Sequence, residues 1–151
     1  MQFRVNFEAQ GFDDLTTYAL TLMEAVVIMN MRWLSEHPEA PRSLMKAGVQ
    51  YDPPPLSFRT DTHRICHAPI LLNLGHGKCD SITAYDVAAR RLGGQNAQVA
   101  AKDEGKGLYH IVTKVIEGGH PRYIDVSNTL PRYRGPDNCR TLINNGSNCD
   151  C

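Results

Sequence analysis

An α+β fold is predicted by three features of this 151-residue sequence. Apolar residues near the start recur in steps of four and three. A second helical stretch opens at Cys79, directly after a glycine-rich turn. Three strand-like segments follow it, the last two joined by Gly118-Gly119. Helices first and a run of antiparallel strands afterwards make a segregated layout, not an alternating parallel one.

The elements can be justified in order. Residues 2–8 alternate, with Phe3, Val5 and Phe7 on one side and Gln2, Arg4, Asn6 and Glu8 on the other, the pattern of a half-buried strand. Gly11 ends it, and Asp13 or Asp14 can cap the helix that follows. Leu15, Ala19, Leu22, Val26, Met29 and Trp33 then form one stripe on a helix of about twenty residues, ended by His37-Pro38. This stripe is expected to face the core, with a dimer seam as the alternative. From Pro38 to Pro55 the chain is Pro-rich, with a short helical turn around 43–47, and YDPPPLSFRTDTHR reads as an extended surface loop. ICHAPILLNLG returns the chain to apolar surroundings. After Cys79, the residues Ile82, Tyr85, Ala89 and Leu92 share a helical face, Asp86, Arg90 and Arg91 lie away from it, and Gly93-Gly94 stops the helix. Strands are expected over 98–101, 108–116 and 122–127. With no internal repeat or boundary, the chain reads as one domain over 1–151. Its parts are a strand and long helix (1–37), a Pro-rich loop (38–74), a core (75–130) and a polar tail (131–151).

Composition excludes several classes. Sixteen basic residues balance sixteen acidic ones, so nothing favours nucleic acid or an anionic membrane as partner. An apolar share of 42% with few aromatics is ordinary for a globular protein. The start, MQFRVNFEAQ, has neither an apolar core nor a small-residue cleavage site, so no signal peptide is expected. No apolar run approaches the about 18–20 residues of a membrane span. The cytoplasm is the expected location, with export by a route that needs no cleaved signal left open. The five cysteines are Cys66, Cys79, Cys139, Cys149 and Cys151. An odd count argues against a disulfide framework and leaves room for a functional thiol. The tail DNCRTLINNGSNCDC is expected to be a loose terminus with incidental thiols, a tail disulfide or metal clip being the other option.

The hairpin allows a geometric test. If its turn centres on Gly118-Gly119, Glu117 faces His120, Val112 faces Asp125 and His110 faces Ser127. His110 and Asp125 then project to the same side as diagonal neighbours, about 7–8 Å apart at Cα. A loop of odd length would send Asp125 to the other face. A carboxylate that orients an imidazole is half of a nucleophile-activating triad. The other half is a thiol at a helix N-terminus, where unpaired N–H groups and the helix dipole favour thiolate. Cys79 sits there, after Gly75 and Gly77, whose lack of side chains would let a substrate backbone approach. His110 as imidazolium would stabilise the thiolate and later protonate the leaving group. Asp125 followed by Ser127-Asn128 also reads as a plain strand-end turn former.

Taken together, G-K-C at 77–79 opening a helix, the helix end R-R-L-G-G, the strand AQVAA, Y-H at 109–110 and Y-I-D at 123–125 resemble the transglutaminase-like, papain-related cysteine enzymes. The match spans about Gly75–Ser127. The resemblance implies a transglutaminase-like core with the nucleophile at a helix N-terminus packed on an antiparallel sheet. It implies Cys79 as nucleophile, His110 as general base and acid, Asp125 as orienter, and no cofactor or metal. The implied reactions are acyl transfers at amides of a protein or peptide substrate, with hydrolysis of peptide or isopeptide bonds expected ahead of deamidation or transamidation. Two departures stand out. Ile111 and Val112 follow the histidine where many members carry tryptophan, and the oxyanion donor is unassigned beyond the Cys79 backbone N–H and Asn73, where papain-type enzymes place a side-chain amide. Gly77 and Tyr109 are the expected substrate-facing neighbours. The loop over 51–67 is the expected wall of a shallow groove, which a partner or substrate protein would complete.

Two other readings compete. His63-x2-Cys66 and His76-x2-Cys79 supply four ligands for tetrahedral zinc, which would make the chain a zinc-stapled binding module without catalysis. An inactive transglutaminase-like fold used for structure or assembly is the other, and it predicts a Cys79 thiol of ordinary reactivity.

Overall fold

Helix α1 covers Phe12–Glu36 and opens the part of the chain that the computed structural model describes: residues 12–53, 65–104 and 109–134, the side chains of 12–16, 103 and 109 excepted. The strand expected over 2–8 and the tail cysteines lie outside these residues. The buried face of α1 is Met23, Val27, Asn30 and Leu34, not the expected stripe, and Met29 is 46% exposed. The true face is one residue further along because a polar side chain sits in it. Asn30 is fully buried, and its Oδ1 accepts the backbone N–H of Ala68 at 2.7 Å. An apolar periodicity skips such a residue and settles on the neighbouring row.

After α1 a turn closes where Ala47 N–H donates to Ser43 O at 3.0 Å, as the sequence suggested. Strand β1, Gln50–Tyr51, follows. Helix α2, Ala68–Leu74, was not expected, although Pro69 in its first turn and Gly75 at its end mark it. Gly75 takes φ 71°, the left-handed conformation that closes helices, and donates its N–H to Leu71 O. Strand β2, His76–Gly77, pairs in parallel with β1, with Tyr51 opposite Gly77.

Helix α3, Cys79–Leu92, starts directly after β2. Ile82 and Tyr85 are fully buried as expected, but so are Ala84, Val87 and Ala88, while Leu92 is 39% exposed. The two-faced helix read from the sequence is thus a central one, packed against α1, α2 and the sheet strands at once. Its polar side chains find partners there. Thr83 donates to Ile111 O at 3.1 Å. Asp86 accepts from Thr113 Oγ1 and Arg90 Nε, each at 2.7 Å. Arg91 pairs with Glu24 of α1.

Strands β3 (Ala97–Asp103), β4 (Tyr109–Glu117) and β5 (His120–Ile124) form an antiparallel sheet in that order. Gly118 and Gly119 have φ 57° and 82°, the conformation of a two-residue primed turn. The ladder pairs Glu117 with His120 and Thr113 with Ile124, the register the sequence predicted. The third strand stops at Ile124 instead of continuing to 127. There the Asp125 carboxylate accepts the N–H of Asn128 and the hydroxyl of Ser127, turning the chain into a 3-10 helix over Ser127–Thr129.

The fold is therefore mixed, with three helices and sheets of two and three strands. Among the described residues no helix is long and apolar enough to cross a membrane. Although the odd cysteine count argued against a disulfide framework, Cys66 is disulfide-bonded. It is 1% exposed, and its N–H donates to Ser81 Oγ in the first turn of α3 at 2.9 Å.

Candidate active site

Cys79 is the first residue of α3, preceded by Lys78 in extended conformation as N-cap. It is a free, partly buried thiol. The N-cap Lys78 makes no side-chain capping bond, while the Asp80 carboxylate accepts the N–H of Ser81 at 2.6 Å, so the first-turn N–H groups left over and the helix dipole act on what stands before them. The approach is stiff. Gly77 is held in β2, and a Cβ added to it would stand 2.5 Å from Leu71 Cδ1. The bare Cα of Gly77 therefore makes room for a core leucine.

The second group arrives from the sheet. His110, near the start of β4, is paired with Lys102 of β3. Its Nε2 lies 2.8 Å from Asp125 Oδ2, just past the end of β5. The diagonal relation across the hairpin thus becomes a direct ion pair. The Asp125 carboxylate both pairs with the ring and closes the turn through Ser127 and Asn128. Ser127 Oγ donates to Asp125 Oδ1 at 2.6 Å and lies 3.3 Å from His110 Nε2. Sequence reasoning missed Ser127 as a site residue, although the spacing Asp-x-Ser-Asn is a recognised side-chain-to-backbone turn signal.

The electrostatics join the three groups. A side-chain hydrogen bond with Cys79 is the largest influence on His110. Against the opposing effect of burial, and with help from Asp125, it raises the imidazole pKa to about 9. Burial pushes the Asp125 carboxyl up, but hydrogen bonds from Ser127 and His110 and the His110 charge outweigh it and hold the carboxyl below its usual value. With Nε2 on Asp125, Nδ1 is the ring nitrogen left to face the thiol. An imidazolium between a sulfur and a carboxylate is the arrangement that stores a proton for a leaving group.

The remaining expected residues are placed differently. Asn73 is exposed on α2. Tyr109 opens β4, with its side chain outside the described set, as is most of the expected wall over 51–67. His76 is buried and stacks on Tyr133 with ring centres 3.9 Å apart, its Nδ1 3.9 Å from Asp52 Oδ2. Of the four expected zinc ligands, His63 lies outside the described residues and the Cys66 sulfur is in a disulfide. Among the described residues no group of three or more His, Cys, Asp or Glu side chains could hold a metal ion.

Sequence reasoning also missed Tyr51. It is 9% exposed, and burial, with the charges of Cys79 and Asp125, pushes its phenol up to about 12.

No family model, curated protein or solved structure matches the chain.

Proposed function

We propose that the chain is a cysteine-dependent acyl-transfer enzyme with a transglutaminase-like core, acting on amide bonds of a protein or peptide. The observation that carries this reading is a free thiol at a helix N-terminus, Cys79, together with an imidazole, His110, whose Nε2 stands 2.8 Å from the Asp125 carboxylate and whose pKa the thiol raises. In the reaction, the Cys79 sulfur forms a bond to the carbonyl carbon and the C=O π pair moves to oxygen. The pair then returns, the C–N bond breaks, and the imidazolium of His110 gives its proton to the departing amine. Neutral His110 next takes a proton from water, which attacks the thioester and releases the acid and the free thiol. Asp125 stays ionised and keeps the ring in place. Hydrolysis of peptide or isopeptide bonds is the favoured outcome, because water is always present as acceptor. An amine in place of water would give transamidation.

The test is to incubate the protein with a peptide library, quench in acid and locate any acyl adduct by mass spectrometry. An adduct on Cys79 that disappears in His110→Ala is expected. Acylation only at other residues, or none, would sink the reading.

A further inference from the structure

We infer that the hydroxyl of Tyr51 is an oxyanion donor, hydrogen-bonding the carbonyl oxygen that becomes negative when Cys79 attacks, together with the Cys79 backbone N–H. This rests on the acyl-transfer reading above.

Tyr51 is the middle residue of a narrow three-chain ribbon. On one side its partner is Gly77, two positions before the nucleophile, and Asp52 N–H donates to Gly77 O at 2.9 Å. On the other side Tyr51 N–H donates to Pro131 O, and its carbonyl accepts the N–H of Tyr133, both at 2.8 Å. Residues 131–133 follow the turn that carries Asp125. One short strand therefore ties the chain entering Cys79 to the chain leaving Asp125, and Tyr51 is fixed by its backbone between them. Its side chain is buried there, and the charges of Cys79 and Asp125 both act on the phenol. Burial and those charges keep the hydroxyl protonated throughout the neutral range, so it remains a donor. A developing oxyanion offers this hydroxyl an acceptor at the moment the charge appears. Asn73, by contrast, is exposed on the outside of α2.

Tyr51→Phe keeps the ring and removes only the donor, and two probes of Cys79 separate its roles. Iodoacetamide reacts at a saturated carbon, where the S–C bond forms as iodide leaves and no oxyanion arises. p-Nitrophenyl acetate reacts at a carbonyl. The S–C bond forms, the π pair moves to oxygen, and its return expels p-nitrophenolate. Tyr51→Phe is expected to alkylate near the wild-type rate and to acylate about 10²–10³-fold more slowly, the loss typical of one oxyanion donor. Acylation at the wild-type rate overturns the proposal. So does an equal loss in both reactions, which would make Tyr51 a support for the thiol alone. Failure of the parent reading looks different, since His110→Ala would then alkylate at Cys79 as fast as wild type.

Tyr51→3-fluorotyrosine keeps the hydroxyl and guards against a Phe variant that does not fold. Its fluorine resonance is expected to move when acetaldehyde adds to Cys79, and to stay fixed in a Cys79→Ala background. No movement with Cys79 present overturns the proposal.

Discussion

His110 Nε2 stands 2.8 Å from Asp125 Oδ2, and Ser127 Oγ reaches the other carboxylate oxygen at 2.6 Å. The carboxylate is thus held from two sides, by the ring it orients and by the turn it closes. A carboxylate fixed in this way keeps the imidazole in one orientation toward Cys79, and the testable consequences begin there.

Cys79 is expected to be alkylated by iodoacetamide well below pH 8, ahead of any other thiol of the chain. Without reductant Cys66 should not react at all, because its sulfur is in a disulfide. His110→Ala should abolish the preference for Cys79. Peptide mapping after timed alkylation reads this, and equal rates at all free thiols would defeat the mechanism.

The His110 imidazole is expected to titrate near pH 9 in an NMR titration. Cys79→Ala removes the largest cause of that elevation and should bring the midpoint down. The sign of the stability effect follows. A pKa raised in the folded state contributes stability that is present below the ordinary value of 6.5 and lost as pH rises through about 9. The lowered Asp125 contributes stability present above 3.8 and lost as pH falls through its folded value. Thermal melting should therefore decline on both sides of that window, and the alkaline decline should shrink in His110→Ala. An unchanged alkaline limb in that variant would count against the pairing.

Gly77→Ala is expected to destabilise the protein by about 1–3 kcal/mol, the usual cost of overfilling a core. The added methyl would press on Leu71 Cδ1 at 2.5 Å, and Leu71 is fully buried. In a domain of this size about 1 kcal/mol lowers Tm by about 2–4 °C. Leu71→Ala costs stability alone but should partly relieve Gly77→Ala, so the pair should be less than additive. Simple additivity in thermal or urea unfolding would show that the contact does not matter.

Asn30→Ala should cost about 1–3 kcal/mol through the orphaned N–H of Ala68, before any cavity effect. Asn30 Oδ1 is the link from α1 to the start of α2. Asn30→Asp keeps an acceptor but buries a carboxyl, so it should recover part of the loss only at acid pH, where that group is neutral. Equal losses in the two variants at acid pH, measured by urea unfolding, would mean that the hydrogen bond contributes nothing.

The hairpin was legible because its information is local. Two adjacent glycines permit only a narrow set of turns, and a two-residue turn fixes which residues of β4 and β5 face each other, so His110 and Asp125 could be brought together on paper. The α1 face was misplaced because Asn30, a core residue by position, is polar by type. Helix α2 was missed although Pro69 and Gly75 mark its ends, since a seven-residue helix is too short for periodicity to speak. The contact that requires glycine at 77 was not legible, since Leu71 lies six positions earlier on another element.

Sequence by itself determined the antiparallel run of strands after α3, the hairpin register, and the placement of Cys79 at the head of a helix, but not the parallel pair β1–β2 between the helices. Each depends on residues close together in the chain, where backbone geometry alone sets the outcome. Tertiary structure decided the rest: the burial of α3 on nearly every side, the Asn30–Ala68 link, the Cys66 disulfide and the pairing of Tyr51 with both the strand that leads to Cys79 and the chain that follows Asp125. These are contacts between segments far apart in the chain, chosen by how the whole core closes. No local pattern encodes which distant side chain will fill a given space.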